Sequence, residues 1–376
     1  MRIAVLSRYL PSDSKMGVGH QVHAMAEALV ARGHSVTVFS ESPKPSDATY
    51  QHEQTHTSPP LRSLKSSWHL RKADWSRFDV LHAHGDDWFL WGRDVPPHVR
   101  TVHGSCLAEA ANIPGLKNKL YMLWLAGLET LSCLAADKVV GVSQNTCRSY
   151  PWIKAVIPNG VNLAAFSGEV DASMTSDRGP VARKHETPEE SAAPTALVTG
   201  HRSLATKSAV PSILFVGTYA NRKRGKLLMD IFKSRIRPAL PEAQLWMVCS
   251  DAPAAAGVTV FGRIPEAKLI DLYRRAWVFC LPSTYEGFGI PYIEAMAAGT
   301  AVVASPNVGA LEVTRSGQDG LVPKDDTLAE TLLMVLTNSQ ERQRLEAAGL
   351  ARVKDFDLNT VCERYEQIYE GLIGHK

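Results

Sequence analysis

Two carboxylates bracket a glycine-rich loop in this 376-residue chain. Glu286 and Glu294 stand with seven residues between them in EGFGIPYIEAM, just after an apolar run ending at Leu281. A strand, a glycine loop and a helix beginning near Pro291 are the expected order, because proline suits the first helical turn. Beside Gly287, the backbone N–H groups of Phe288, Gly289 and Ile290 would point out of that helix start, a setting that favours a phosphate or a sugar hydroxyl. A carboxylate accepts from two neighbouring hydroxyls at once, so the pair could reach one pocket from different depths. Spacing alone leaves another reading open: a glycine turn carrying two solvated glutamates.

A second set of residues is cationic. Arg222-Lys223-Arg224-Gly225-Lys226 follows the apolar run Ile213–Val216 and precedes a helical pattern. A departing diphosphate needs such a density of positive charge, and arginine can fork onto two oxygens. Taken alone, a basic run is as readily a solvated turn, and Arg224 and Lys226 are read as plain surface. His103 ends a strand-like run and precedes Gly104-Ser105, where glycine permits close approach of a ligand; a lone histidine is more often structural. His82, His84, Asp86 and Asp87 are ligand-type residues, and the two histidines share one strand face. The adjacent aspartates lack a D-x-D spacing, however. No metal is therefore expected, and Asp86 is read as a hydrogen-bonding partner for acceptor hydroxyls at a strand's carboxyl end.

These residues need scaffolding, and the chain supplies it twice. Apolar, β-branched runs alternate with helical patterns, the mark of parallel α/β architecture. The first set of expected strands is Ile3–Leu6, Val36–Phe39, Val80–Ala83, Val99–His103, Lys138–Val142 and Ala155–Ile157. The second is Ile213–Val216, Leu245–Cys249, Val258–Phe261, Val278–Leu281 and Ala301–Ala304. A helix with Val22, Met25, Ala26, Leu29 and Val30 on one face separates the first two strands, and Gly33 stops it. The expected organisation is an N-terminal domain over 1–166, a flexible linker over 167–210 and a C-terminal domain over 211–355. A helix over 356–376 is expected to cross back to the first domain. The linker reading rests on a stretch rich in Ser, Thr, Ala, Pro and charge, almost without large apolar residues. Two such sheets leave a cleft at their strands' carboxyl ends, where nucleotides and phosphates bind.

Bulk composition narrows the function. A net charge of +3 is too small to argue for nucleic acid as partner. The six cysteines show no C-x-x-C pairing and read as reduced core thiols. The opening MRIAVLSRYLPSD reads as a buried strand interrupted by Arg8, unlike a signal peptide, so a cytoplasmic location is expected. The stretch around Arg62, Lys65, Trp68, His69, Arg71 and Lys72 interleaves basic and apolar residues. It reads either as a patch for weak peripheral membrane contact, suited to a lipid-linked acceptor, or as an ordinary exposed helix.

The segment EGFGIPYIEAMAAGTAVVAS resembles the E-x7-E signature of glycosyltransferase family 4, retaining enzymes of the GT-B fold. Five further stretches are similar to family segments in the family's order: MGVGHQVHAMAEALVARGHSVTVFS, TVHGS, GVSQNT with IPNGVN, LFVGTYANRKRGKLL, and GALEVTRSGQDGLVP. The resemblance implies two Rossmann-like domains facing across a cleft. It implies that Glu294 binds the ribose, Glu286 the donor sugar near its C3 and C4 hydroxyls, and His103 the C6 side. Gly17, with Gly19 in the same loop, would offer an amide to the diphosphate, and Lys223 with Arg222 would compensate the leaving group. Two departures stand out: Thr218 replaces the family's usual arginine after the F-V-G strand, and Met16 replaces a common first glycine.

The implied reaction moves a sugar from a nucleoside diphosphate, UDP first and GDP next, to a hydroxyl of a glycan, lipid-linked or small-molecule acceptor. It proceeds with retention, without metal or cofactor, the nucleotide sugar being a substrate. Two other readings compete. An epimerase on the same fold would need a second proton-abstracting set, which the sequence lacks. A non-catalytic nucleotide-sugar-binding protein would have lost the acidic motif, which is intact here.

Overall fold

The computed structural model describes residues 1–11, 17–55, 62–91, 94–112, 115–167 and 207–374. The first domain is a seven-stranded sheet in which every paired neighbour is parallel. Its strands are β1 (Arg2–Leu6), β2 (Ser35–Ser40), β3 (Gln51–Gln54), β4 (Val80–Ala83), β5 (His98–Val102), β6 (Lys138–Gly141) and β7 (Ala155–Val156), in the order 3-2-1-4-5-6-7. The second domain is a five-stranded parallel sheet of β8 (Ser212–Val216), β9 (Gln244–Val248), β10 (Val258–Val260), β11 (Val278–Leu281) and β12 (Ala301–Ala304), in the order 10-9-8-11-12. Strands β1, β4, β8, β11 and β12 are built mainly from Val, Ile, Leu, Ala and Phe buried on both faces. A parallel sheet covered by helices demands such residues.

Strand β3 was not expected from the sequence. Its residues Gln-His-Glu-Gln carry no apolar signal, because it pairs only with β2 at the sheet edge and buries neither face. Strand β5 carries another surprise: His98 and Arg100 are buried within it. Both turn to Asp87, with His98 Nε2 3.2 Å from Asp87 Oδ2 and the Arg100 guanidinium in close contact with Oδ1. Asp87 is thereby committed to holding a buried cation in place.

The chain passes between the domains twice. After β7, the Val161 amide donates to the Phe356 carbonyl and the Leu358 amide donates to the Val161 carbonyl, bridging the outgoing and returning segments. Gly160 lies against Leu358, whose Cδ1 would be 2.8 Å from a Cβ there, so the crossing is too tight for a side chain. The structure shifts the expected boundaries on both sides. The short helix Leu163–Ser167 packs on the second domain, with Phe166 in that domain's core. Lys207, assigned to the linker by composition, is also part of it: its ammonium donates to the carbonyls of Ala276 and Gly299 and to Thr300. The rest of the expected linker lies outside the described residues.

The C-terminal helix Leu358–Ile373 packs on the first domain, where Val361, Tyr365 and Tyr369 join a core with Val5, Val22 and Leu29. Arg32 and His34 hold its Glu366 at 2.7 Å each. Its two tyrosines reach the sheet. The Tyr369 hydroxyl lies 2.6 Å from His82 Nδ1, and the Tyr365 hydroxyl 2.8 Å from Thr101 Oγ1, which itself lies 2.7 Å from His82 Nε2.

Candidate active site

The acidic loop leaves β11 at Leu281 and enters a helix over Ile290–Ala297. Gly289 precedes that helix at φ 99°, a left-handed position, and a Cβ there would fall 2.4 Å from the Tyr292 ring. Both facts require glycine. Tyr292, Ile293 and Met296 bury the inner face of the helix, which fixes the direction of its first turn. Phe288 is buried edge-to-face against Phe356. It anchors the loop through its ring, leaving its backbone as the part able to meet a ligand.

Glu286 is buried, and the basic loop after β8 comes to it. Lys223 Nζ lies 2.6 Å from its Oε1, and Arg222 Nη1 lies 3.1 Å from the same oxygen while donating to the Tyr285 carbonyl at 2.7 Å. The Thr284 amide also donates to the Arg222 carbonyl at 2.9 Å, joining the two loops through backbone. Burial holds the Lys223 ammonium below its ordinary pKa, with the Glu286 charge opposing that shift. Residues expected at separate tasks, sugar binding and leaving-group compensation, are here joined in one ionic cluster.

Arg224 corrects the expectation of plain surface. At φ 53° it turns its guanidinium inward, onto the Pro282 carbonyl at 2.5 Å and Asp325 at 2.6 Å. It braces the basic loop against the end of β11. Lys226 pairs with Asp230 on the exposed side of the next helix.

Glu294 sits half-buried one turn into the helix. The Tyr273 hydroxyl donates to its Oε2 at 2.9 Å. Burial pushes the Glu294 carboxyl up to about 7, against the lowering influence of Tyr273 and Lys223. No sequence motif marks Tyr273; its task follows from the packing of the helix Glu266–Arg275 against the acidic helix.

The facing domain closes over this cluster. His103 follows β5, and its carbonyl oxygen would lie 3.3 Å from a Cβ at Gly287, so glycine lets the two domains touch here. Ser143 Oγ donates to the Gly287 carbonyl at 3.3 Å, and Glu312 accepts from the amides of Gln144 and Asn145 at a helix start of the first domain. The imidazole of His103 is engaged inside its own domain. Its Nε2 is 2.7 Å from His84 Nδ1, and the Asn159 side chain is a further hydrogen-bond partner. Burial pulls the ring down to about 4, so it is neutral at physiological pH. The His82 ring lies 4.2 Å from that of His84, tilted by 34°, completing a row of neutral imidazoles.

Gly17 opens the first helix, Gly17–Ala31, and faces the acidic loop: a Cβ there would meet Ile290 Cδ1 at 3.8 Å. Gly19 has a different duty. A Cβ would lie 2.8 Å from the Tyr9 carbonyl, so this glycine seats the helix on the loop after β1. Asp86 follows β4 in a left-handed conformation, φ 60°, with Trp88 Nε1 3.4 Å from its Oδ1. A non-glycine residue held there marks a loop shaped by its surroundings. Among the described residues no group of three His, Cys, Asp or Glu is placed to hold a metal ion. His82 is taken by Thr101 and Tyr369, and Asp87 by Arg100 and His98.

Two parallel α/β domains meet here over a glycine-started helix on one side and an acidic–basic cluster at the strand ends of the other. That is the architecture of a GT-B glycosyltransferase. Residues 16–165 match the description "Glycosyltransferase Family 4" and residues 210–338 match "Glycosyl transferases group 1". The chain belongs to family 4 of the glycosyltransferases. It is 35% identical over 180 residues to a phosphatidyl-myo-inositol mannosyltransferase of Mycobacterium tuberculosis, a match spanning 43% of this chain and 48% of that one. The protein of the same description from Mycobacterium leprae is 28% identical over 98% of this chain and 96% of its own. In fold, the chain is similar to sucrose-phosphate synthase from Thermosynechococcus elongatus, with TM-score 0.74, 21% identity and full coverage of both chains. It is similar to Anabaena HepE in complex with UDP-glucose, with TM-score 0.69, 14% identity and coverage of 99% and 100%.

Proposed function

We propose that this chain moves a hexose from a nucleoside-diphosphate sugar to a hydroxyl acceptor, with retention and without a metal ion. The observation that carries the reading is the cluster of Lys223, Glu286 and Glu294 at the start of the helix Ile290–Ala297, closed over by Gly17 and the His103 loop. Breaking a sugar–phosphate bond builds negative charge on the diphosphate, so cations and N–H dipoles belong at that end. Lys223, Arg222, the Gly17 amide and the amides of Phe288, Gly289 and Ile290 supply them. Glu286 accepts from donor-sugar hydroxyls, and Glu294, oriented by Tyr273, accepts from the ribose. The His103 loop, with its carbonyl turned to Gly287, meets the C6 side of the sugar. Asp86 meets the acceptor. In a retaining transfer the leaving phosphate oxygen takes the acceptor's proton, so no side chain is assigned as general base.

UDP is the first candidate for the nucleotide, supported by the fold shared with a protein solved with UDP-glucose; GDP is next. A lipid-linked acceptor is supported by the phosphatidyl-myo-inositol mannosyltransferases that resemble this chain. The enzyme would then work in the cytoplasm at a membrane surface. Thermal shift with UDP, GDP and ADP tests the donor assignment, since a ligand at a hundred times its Kd adds about 2.7 kcal/mol of stability. UDP should raise the melting temperature most; no response to any of the three would remove the nucleotide from the account.

The Glu294 assignment carries a pH dependence. Ribose hydroxyls donate to the carboxylate, and with its carboxyl pushed up to about 7 the empty site must lose a proton before it accepts them. Donor affinity should therefore rise with pH until about 7 is passed and then level off, with a slope below that point approaching about tenfold per pH unit. Calorimetric titration of UDP between about pH 5.5 and 8.5 measures it. Glu294→Gln should bind weakly and flatten the profile; a wild-type profile in that variant would remove Glu294 from the nucleotide site.

A further inference from the structure

The helix Leu116–Ala135 turns many of its large apolar side chains outward. Its solvent face carries Leu116, Leu120, Leu123, Trp124, Leu131 and Leu134, with Leu116 73% and Leu134 69% exposed. These positions recur at helical spacing along a stripe about 30 Å long. The buried positions are small or polar: Ala126, Glu129, Ser132 and Cys133. The Glu129 carboxylate accepts from the Tyr150 hydroxyl and from the Cys106 amide at 3.2 Å. A chain seeking only solubility would turn Glu129 out and the leucines in. The exposed leucines form an apolar surface kept for something else.

The charge on this face identifies the occupant. Glu129 is the helix's single acid and is turned inward, while its exposed charges are Lys117 and Lys119 in the first turn. Tyr121 and Trp124 stand beside each other on the exposed side with ring centroids 6.0 Å apart. Leucines in a row, aromatic rings and a lysine pair without exposed acid suit the interface of an anionic bilayer, where apolar side chains sink below the headgroups and ammonium groups meet phosphates. No helix among the described residues is long and apolar enough to cross a membrane, so this one would lie flat.

We propose that this helix is the face by which the protein docks on an anionic lipid surface. The surface differs from the basic stretch 62–72 considered from sequence. It also adjoins the candidate site: the loop carrying His103 runs straight into the short helix Cys106–Asn112, which is tied to Glu129 and packs on the docking helix. A membrane beneath the helix would therefore hold lipid next to the loop that carries His103. The proposal sharpens the lipid-linked acceptor reading without resting on the donor assignment.

Co-sedimentation of the full chain with vesicles tests it, comparing phosphatidylcholine alone with mixtures containing phosphatidylglycerol. The wild type should bind the anionic vesicles. Leu120→Glu/Leu131→Glu should bind at least about tenfold more weakly. Lys117→Glu/Lys119→Glu should lose about fivefold per lysine on anionic vesicles only. Both variants should keep the wild-type melting temperature and its shift with UDP, which separates failure of docking from failure of folding or of the donor site. Wild-type protein that ignores every vesicle, or a leucine variant that binds as well as wild type, would overturn the proposal. So would sedimentation velocity showing a dimer that the leucine variant dissolves while vesicles are ignored, because the face would then belong to a second copy of the chain.

Discussion

Lys223→Ala should slow transfer about a hundred- to a thousandfold at saturating donor. A preorganised cation at a developing oxyanion is worth about 3–4 kcal/mol of barrier in a site shielded from water. Lys223 qualifies on both counts: its side chain is largely buried, and its ammonium is held at 2.6 Å by Glu286 before any donor arrives. Arg222 is the lesser cation, with a side chain 54% exposed and one N–H already given to the Tyr285 carbonyl. Arg222→Ala should therefore cost less, unless Arg222 has taken over the duty of the residue that Thr218 replaces. Lys223→Arg keeps the charge but changes its shape, and should recover only part of the rate. Initial rates for the three variants measure this, with melting temperatures taken alongside because Lys223→Ala strands a buried carboxylate. A Lys223→Ala enzyme as fast as wild type would reduce the basic run to a structural loop.

Glu286→Gln should lower kcat by a similar two to three orders of magnitude and leave the Kd for free UDP nearly unchanged. The carboxylate has two duties in this account. It accepts from hydroxyls of the transferred sugar, which UDP alone lacks, and it supports the charge of Lys223, whose burial pulls its pKa down. Losing Glu286 should depress the Lys223 ammonium further, so the alkaline limb of the rate profile should move to lower pH in Glu286→Gln. Because the two residues act as a pair, the double variant Lys223→Ala/Glu286→Gln should be scarcely slower than the slower single variant. Fully additive losses would show two independent roles, and unchanged kcat in Glu286→Gln would remove Glu286 from the sugar site.

The parallel α/β architecture was legible because buried strands must be apolar: β1, β4, β8, β11 and β12 announce themselves by composition alone. Edge strand β3 did not, since nothing apolar is asked of Gln-His-Glu-Gln there. Glycine loops and strand ends placed the candidate residues near a cleft, and the family resemblance agreed with the family the chain belongs to. Contacts between those residues were not legible. That Lys223 grips Glu286, that Tyr273 orients Glu294 and that His84 engages His103 depend on how separate loops and helices pack. Arg224 misled for a local reason: only its left-handed backbone turns it inward, and a basic run does not advertise which member will turn. The helix Leu116–Ala135 was illegible for another reason. Its leucines recur around the whole helix, so composition does not say which of them face outward; the burial of Ala126, Glu129, Ser132 and Cys133 does.

The central claim is that Lys223, Glu286 and Glu294 form a donor site that works without a divalent ion. Release of UDP from a sugar-labelled UDP-hexose, followed in EDTA for wild type and Lys223→Ala with water or an added acceptor, tests it most directly. The account predicts turnover in EDTA by the wild type, unchanged on adding Mg²⁺ or Mn²⁺, and a loss of about a hundredfold or more in Lys223→Ala. Activity abolished by EDTA and restored by the metal would contradict it, and would return His82, His84 and Asp86 to consideration as ligands.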